Sequence, residues 1–387
     1  CPAHPHGSRG AIAADAGAHV ARSARTRRPK PEVSRAPGSH PMSERFVMPA
    51  EWTRHEATWL GWPHNTADWI GKFGPIPWVF AEMARRITED EQLYLVVKSK
   101  AHEGSATRIL QKVGVDTRRV RFFIKETDRG WMRDSGPIVT RSAADGRVVA
   151  HFRFNAWAKY SNWKKDVTFV SFAAKRTGLP AVDVVHGDRH VVLEGGSIDV
   201  NGLGTLLTTE ECLLDPAEQV RNPGFTAADY EAVFATYLGA RKTIWLGRGI
   251  SGDDTHGHVD DLCRFVSAHT VVLCSETQRS DANYRALAEN AERLQGMTTA
   301  DGAKLQVVPL PMPAPLMYDG QRLPASYANF YFTNAAVIVP TFNDPNDRVA
   351  LGILAELIPD RPVIGIHAVD LVWGFGTLHC LTQQVPE

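Results

Sequence analysis

The sequence predicts one large α/β domain. Segments with apolar residues at helical spacing alternate with short runs rich in β-branched and aromatic residues, and no long linker interrupts them after about residue 42. The 387 residues are 43% hydrophobic and 22% charged, which is ordinary globular composition and excludes collagen, coiled coil and wholesale disorder. No window approaches the roughly 18 consecutive apolar residues of a membrane-spanning helix.

Helix and strand signals follow each other along this domain. The clearest helix begins at Thr226, which together with Asp229 resembles a capping box, and ends at Gly239. Apolar spacing predicts further helices opening at Pro77, over 106–113, over 284–294 and after Asp344-Pro345. Strands are predicted over 93–97, 120–124, 148–154, 243–246, 270–274, 305–308, 335–339 and 363–366.

Charge is balanced over the whole chain but not along it. Lys+Arg and Asp+Glu are both 43, so a general nucleic-acid binder, which usually carries a basic excess, is disfavoured. Residues 1–41 hold seven basic and two acidic side chains and no Phe, Trp, Tyr or Leu. We expect a disordered extension upstream of a true start at Met42, with a transit peptide as the alternative, and an ordered domain over 42–387.

The five cysteines are scattered and form no CxxC pair, which argues against a disulfide framework and a Cys-based zinc site. A reducing compartment, and hence a cytoplasmic location, fits this pattern. Cys212, Cys263 and Cys274 are expected to be small buried apolar residues. Cys380 differs, because it follows Gly374 and Gly376 in a polar segment and is a candidate nucleophile.

A second polar segment, 253–261, combines two histidines with four aspartates. If Val259 enters a strand, His258 and Asp260 share one face and offer an acid/base group beside a fixed negative charge. A site for Zn, Mn or Ni and a purely structural role are the alternatives.

The substrate is suggested by the carboxylates of Asp134, Glu194 and Asp260. Convergent carboxylates repel one another unless a cation neutralises them, and that cation is either a metal or a cationic substrate. A guanidinium presents a planar set of donors that matches carboxylates. With the thiolate of Cys380 aimed at the guanidinium carbon, the pattern describes a hydrolase.

Six motifs together resemble the agmatine deiminases, the agmatine iminohydrolase branch of the guanidino-group-modifying enzymes, which also includes bacterial peptidylarginine deiminase. The resemblance spans Met48 to Gln384 and keeps the order of the family's motifs. They are MPAEW (48–52), HEATWLGWP (55–63), WMRDSGP (131–137), EGGSID (194–199), GHVDD (257–261) and HCLTQQ (379–384).

The resemblance implies a pentein fold, in which five ββαβ-type units form a closed propeller, and a chemistry without metal or cofactor. It also implies hydrolysis of agmatine to N-carbamoylputrescine and ammonia through a covalent thiouronium. The roles that it implies are Cys380 as nucleophile, His258 as general acid/base, Glu194 as the partner of that histidine, Asp134 and Asp260 as the guanidinium-binding carboxylates, and Trp131 as a substrate contact. A peptidyl-arginine or other guanidino substrate is the main alternative, ahead of a non-catalytic pentein and a metal-dependent ureohydrolase.

The partners expected are therefore a small cationic guanidino substrate, no nucleic acid and no membrane, with a homo-oligomer left open. Two departures from the family pattern concern the substrate pocket. Phe375 stands where a Gly-Gly-Gly run is common, and 126–130 differs from the Asn-Asp form of agmatine deiminases. Arg133 is the one cation in the motifs and should point away from Asp134, so we expect agmatine to be preferred over free arginine.

Overall fold

Twenty strands and nine α-helices are formed by residues 46–144 and 146–387, the part of the chain that this computed structural model describes. The extension over 1–41 and the start at Met42 lie outside these residues. The strands are β1 (His55–Gly61), β2 (Gln92–Val97), β3 (Val120–Ile124), β4 (Ile138–Ser142), β5 (Gly146–His151), β6 (Ala181–Asp183), β7 (Val185–His186), β8 (Arg189–His190), β9 (Asp199–Val200), β10 (Thr205–Thr209), β11 (Lys242–Leu246), β12 (Cys263–Ser267), β13 (Thr270–Ser275), β14 (Gln306–Pro311), β15 (Met317–Tyr318), β16 (Gln321–Arg322), β17 (Tyr331–Phe332), β18 (Val337–Thr341), β19 (Val363–His367) and β20 (Thr382–Pro386). The helices are α1 (Ile76–Ile87), α2 (Lys100–Lys112), α3 (Met132–Ser135), α4 (Phe169–Thr177), α5 (Glu210–Leu214), α6 (Ala227–Leu238), α7 (Tyr284–Leu294), α8 (Asn346–Leu357) and α9 (Leu378–Leu381).

Five sheets repeat one topology. In each, a central strand pairs antiparallel with one neighbour and parallel with the other, and a helix makes the parallel crossover. The strands of units 1 to 5 are β20-β1-β2, β4-β5-β6, β9-β10-β11, β12-β13-β14 and β17-β18-β19, with β3 added at the edge of unit 1. The predicted α/β class and the five ββαβ units implied by the family resemblance are confirmed.

The first unit is completed by the end of the chain. Strand β20 runs antiparallel to β1, with Gln383 opposite Trp59 and Thr382 opposite Leu60. The last strand of the domain therefore completes the sheet that contains the first strand, as a closed propeller requires. Apolar side chains fill the space between units, and the largest cluster includes Phe80, Phe265 and Phe330.

Local signals explain most of these elements. Thr226 and Asp229 form the predicted capping box of α6, and Gly239 ends it at a φ of 71°. The other predicted helices and all eight predicted strands overlap observed ones, although the strand predicted over 148–154 stops at His151. Among the described residues, no helix has the length and apolar character to cross a membrane.

The structure corrects the prediction that His258 and Asp260 lie on a strand. Strand β12 begins only at Cys263, and residues 259–261 form a 3₁₀ turn. The Oδ2 atom of Asp253 accepts hydrogen bonds from the backbone N–H groups of Gly257 (2.8 Å) and His258 (2.9 Å), which holds the segment in a turn.

Candidate active site

The segments that precede the first strands of the units meet at the centre of the molecule. Short helical turns lead into β4, β9, β12 and β20, and each carries predicted site residues. The structure brings together Asp134, Glu194, His258, Asp260 and Cys380, all of which are buried.

A cleft of about 270 Å³ leads to this centre. Asp134 and Cys380 lie on its surface, whereas His258, Asp260 and Glu194 are buried behind it. Trp131, the predicted substrate contact, forms part of the wall. The remaining aromatic walls are Trp157, Tyr160, Tyr318, Trp373 and Phe375.

His258 lies between two carboxylates without a hydrogen bond to either. Its Nδ1 atom is 3.8 Å from Oδ1 of Asp134, and its Nε2 atom is 3.8 Å from Oε2 of Glu194. Burial alone would lower the pKa of His258, but Asp134, the Cys212 thiol and Glu194 outweigh it and raise the pKa well above 6.5. The side chain is therefore a buried imidazolium that can give up a proton.

Glu194 is kept ionised by a partner that the sequence did not indicate. The Nε atom of Arg221 lies 3.2 and 3.3 Å from the two carboxylate oxygens. Burial would raise the pKa of Glu194, but Arg221 and His258 overcome it and lower the pKa to about 2. Glu194 therefore places a fixed negative charge beside His258.

Asp134 faces the cleft, and few groups compensate the negative charge of its carboxylate. Its oxygens accept hydrogen bonds from the Gly196 N–H (3.1 Å) and from Nε1 of Trp157 (2.9 Å). Burial raises the pKa of Asp134 to about 7. Gly196 is needed for this approach, because a Cβ there would lie 2.6 Å from Nδ1 of His258 and 2.9 Å from Oδ1 of Asp134.

Asp260 is anchored by the histidine next to Cys380. Its Oδ2 atom lies 2.6 Å from Nδ1 of His379, whose Nε2 atom lies 2.7 Å from Glu51. Burial would raise the pKa of Asp260, but His379 and then His258 lower it. The other oxygen, Oδ1, is buried and has no hydrogen-bond partner among the described residues, so it remains available to a substrate N–H group.

Arg133 points away from the cleft, as predicted, although it lies on α3 and not on a strand. Its guanidinium donates to the His379 carbonyl (3.3 Å), to Gln384 (2.8 Å) and to Glu51 (3.1 Å). Arg133 and Glu51 therefore belong to the support of the site and not to its surface.

The surroundings of the Cys380 thiol oppose its ionisation. Burial raises its pKa well above 9.0, and Asp260, Asp261 and Asp134 raise it further. Phe375, which lines the cleft beside this thiol, has a φ of 63°, a left-handed conformation that is unusual for a bulky residue.

Arg129 is a cation at the cleft that lies outside the sequence motifs. It lines the cleft and donates to Oδ1 of Asp68 at 2.6 Å. Burial raises the pKa of Asp68 to about 6, and its Oδ2 atom has no hydrogen-bond partner in the part of the chain that the structure describes. Sequence reasoning missed both residues because they lie outside the polar motifs, although 126–130 was noted as unusual.

Two groups of potential metal ligands occur at the centre, Glu194–Cys212–His258 and Asp260–Asp261–Cys380, each with donor atoms within 4.8 Å of one another. Cys212 is buried, as expected, but it also lies against the candidate acid/base. Two of the carboxylates already have protein partners, since Glu194 pairs with Arg221 and Oδ2 of Asp260 lies 2.6 Å from Nδ1 of His379. These partners compete with a metal ion at both groups.

The same fold occurs in known proteins. The model of the Porphyromonas-type peptidyl-arginine deiminase family matches residues 47–386. A Selenomonas ruminantium protein provisionally named agmatine deiminase is 35% identical over 90% of this chain and 98% of its own length. The agmatine deiminase of Enterococcus faecalis, solved while catalysing its reaction, superposes with a TM-score of 0.82 at 31% identity over 92% of this chain and all of that one. A cysteine-to-serine variant of C. jejuni agmatine deiminase with bound substrate superposes with a TM-score of 0.78 at 30% identity over 88% and 96%. Because the family model covers nearly the whole described domain, this chain belongs to the Porphyromonas-type peptidyl-arginine deiminase family.

Proposed function

We propose that this protein hydrolyses the guanidino group of agmatine to give N-carbamoylputrescine and ammonia. The observation that carries the proposal is that the Cys380 thiol and the Asp134 carboxylate meet in one small cleft, with the imidazolium of His258 and the carboxylate of Asp260 against them on the buried side. The relatives named as agmatine deiminases support the same substrate.

The first half of the reaction forms a covalent intermediate. Asp134 and Oδ1 of Asp260 bind the guanidinium, and its positive charge lowers the pKa of Cys380, so the thiol loses its proton to solvent. The thiolate then forms an S–C bond to the guanidinium carbon, and one C–N π pair moves to nitrogen. His258 donates its proton to that nitrogen, the C–N bond breaks, and ammonia leaves behind an S-alkylthiouronium.

The second half reverses the proton transfer. Neutral His258 removes a proton from a water molecule whose oxygen bonds to the same carbon. The C–S bond breaks and Cys380 leaves as a thiolate, while the remaining proton of the added water is lost to solvent, so the carbon retains a carbonyl as the ureido product. Glu194 keeps a negative charge beside His258 throughout, which favours the return of the proton.

The walls of the cleft determine how the part of the substrate beyond the guanidinium can bind. A volume of about 270 Å³ suits one small molecule. The unpartnered Oδ2 of Asp68 and the aromatic walls can receive the terminal ammonium of agmatine. Arg129 favours free arginine as a second candidate, since it could bind a carboxylate. Asp68 already neutralises Arg129 at 2.6 Å, so we keep agmatine as the substrate.

The test is ammonia and ureido-product release from agmatine, free arginine and an arginine-containing peptide. We expect kcat/KM for agmatine to exceed that for arginine by at least about a hundredfold, or about 2.7 kcal/mol at 1.36 kcal/mol per decade. Equal rates on agmatine and arginine would refute the substrate assignment and point to Arg129. Faster turnover of the peptide would indicate the sister activity.

Two controls separate the covalent route from a metal-dependent one. Activity should survive a chelator and be lost on alkylation with iodoacetamide. Cys380→Ser should be inactive, whereas Cys274→Ser should stay active, because a hydroxyl at 274 keeps its contacts with the Asp261 carbonyl and the Ser326 hydroxyl. Loss of activity with the chelator alone would favour a ureohydrolase-type mechanism.

A further inference from the structure

A third group of potential metal ligands lies in the second unit, outside the residues that line the cleft. It consists of His151 at the end of β5, Asp183 at the end of β6 and His190 in β8. Each side chain can offer one donor atom such that the three atoms lie within 4.8 Å of one another. Neither the sequence motifs nor the mechanism proposed above uses these residues.

Backbone pairing places the three side chains together. Strands β5 and β6 run parallel, and His151 lies directly opposite Asp183 at their ends. The Arg153 N–H donates to the Val191 carbonyl (2.8 Å), which holds the chain after β8 against the chain after β5. His190 thereby lies beside His151, with ring centroids 4.9 Å apart and ring planes at 89°. The sheet, and not a loop, therefore fixes the arrangement.

The hydrogen bonds of the two imidazoles are those of metal ligands. Nε2 of His190 lies 2.6 Å from the His151 carbonyl, which can only accept, so this nitrogen carries a proton and the lone pair of neutral His190 is at Nδ1. A histidine that binds a metal almost always donates its other N–H to a carbonyl or a carboxylate, which fixes its tautomer. Nδ1 of His151 lies 2.7 Å from Oδ1 of Asp183. A shared tetrahedral ion, with bonds of about 2.0–2.1 Å, would widen this separation only to about 3.3 Å.

The donor set selects one class of ion. Two imidazole nitrogens and one carboxylate oxygen suit Zn²⁺, with water as the fourth ligand, whereas Ca²⁺ and Mg²⁺ prefer oxygen ligands. The side chain of His151 is 14% exposed and that of Asp183 is 68% exposed. An ion can therefore enter from solvent past the carboxylate and come to rest against the more buried imidazole.

We propose that His151, Asp183 and His190 bind a Zn²⁺ ion that ties the β7–β8 hairpin to the ends of β5 and β6. This hairpin is built from two-residue strands, so an added link stabilises it. The site shares no residue with the proposed hydrolysis, and a chelator should remove the ion without stopping turnover. An ion that binds the folded chain but not the unfolded one raises stability by mass action.

The test is equilibrium dialysis of the full chain, first stripped of metal with a chelator, against Zn²⁺. We expect Asp183→Ala and His190→Ala each to bind about one ion per chain fewer than wild type at about 10 µM free Zn²⁺. The difference is measured because the two groups at the centre and the histidines before residue 42 also offer ligands. Zn²⁺ should also raise the melting midpoint of wild type by at least about 2 °C more than that of either variant. Asp183 is exposed, so its variant keeps the test valid if His190→Ala does not fold.

His269→Ala is the matched control. His269 also contacts an aspartate, Asp301, at 2.8 Å, but it belongs to none of the three-ligand groups found among the described residues. This variant should bind as much Zn²⁺ as wild type. Equal binding by wild type and a folded Asp183 or His190 variant would overturn the proposal. A half-saturation of the difference above about 100 µM would overturn it as well, since that affinity is too weak for a built site.

Discussion

Replacing Asp134 with Asn should stabilise the folded protein and remove its activity. Burial raises the pKa of Asp134 from 3.8 to about 7, so the folded protein holds this proton more tightly than the unfolded chain does. Stability from such a group is fully present below pH 4 and is lost as the pH rises toward 7. The ionised side chain therefore works against folding at pH 8.

The magnitude follows from the shift and from the hydrogen bonds. A shift from 3.8 to about 7 corresponds to at most about 4 kcal/mol at pH 8, at 1.36 kcal/mol per unit. The Gly196 and Trp157 N–H groups donate to different oxygens of Asp134, so an Asn amide nitrogen would face one of them. Leaving that donor unsatisfied costs about 1–3 kcal/mol. The net gain is about 1–3 kcal/mol at pH 8 and about zero at pH 5.

Urea unfolding of both proteins at pH 5 and pH 8 measures this difference, and agmatine turnover measures the loss of function. Removing the charge from a buried cation site should weaken kcat/KM by about 2–5 kcal/mol, or roughly 30-fold to several thousandfold. Asp188→Asn, at an exposed position of the β7–β8 hairpin, should change neither quantity. If the Asp134 variant is no more stable relative to wild type at pH 8 than at pH 5, the ionised carboxylate does not oppose folding and the reasoning fails.

The remaining predictions concern other parts of the site and the N-terminal extension. Cys380→Ala should abolish turnover while agmatine still raises its melting midpoint; residual activity within about tenfold of wild type would contradict a covalent route. Asp260→Asn should destabilise the protein, unlike the change at Asp134, because it leaves the His379 ring without its partner at 2.6 Å, and unchanged urea unfolding would show that this pair is dispensable. Asp68→Asn should raise KM for agmatine about tenfold but leave n-butylguanidine, which lacks the ammonium, unaffected; an equal change for both would exclude a role in binding the tail. A chain starting at Met42 should keep its melting midpoint and turnover, and a loss above about 1 kcal/mol would show that residues 1–41 pack on the domain.

The sequence predicted the elements whose signals are local. The capping box at Thr226, the stop at Gly239 and the apolar runs of the central strands each lie within about a dozen residues. The outer strands β9 and β17 contain two residues each, too few for an alternation pattern. Asp253 holds the backbone N–H groups of Gly257 and His258 just before the turn at 259–261. A pattern of buried residues alone could not distinguish this turn from a strand.

The sequence predicted those residues of the candidate site that lie in polar motifs. Its supporting residues come from distant positions: Arg221 is 27 residues from Glu194, and Asn329, whose Nδ2 atom lies 3.1 Å from Sγ of Cys380, is 51 residues from that cysteine. Arg221 is one of many arginines, and Asn329 lies in an aromatic segment that reads as core. The five-unit repeat was the one usable signal for Asn329, since it marks the residues before each first strand.

The distribution of partners among the central carboxylates explains why a cationic substrate fits there. Most of the acidic groups have a basic partner: Glu194 with Arg221, Asp260 with His379, and Glu51 with Arg264. Asp134 has no arginine or lysine partner among the described residues and relies on His258 at 3.8 Å, the group that must surrender its proton during the reaction. When that proton leaves with ammonia, the positive charge next to Asp134 would vanish unless the carbon on Cys380 carried one. The thiouronium does carry it. The unpaired carboxylate at the cleft therefore matches the charge of the substrate and of the intermediate alike, and it favours the chemistry of a guanidinium over that of a neutral amide.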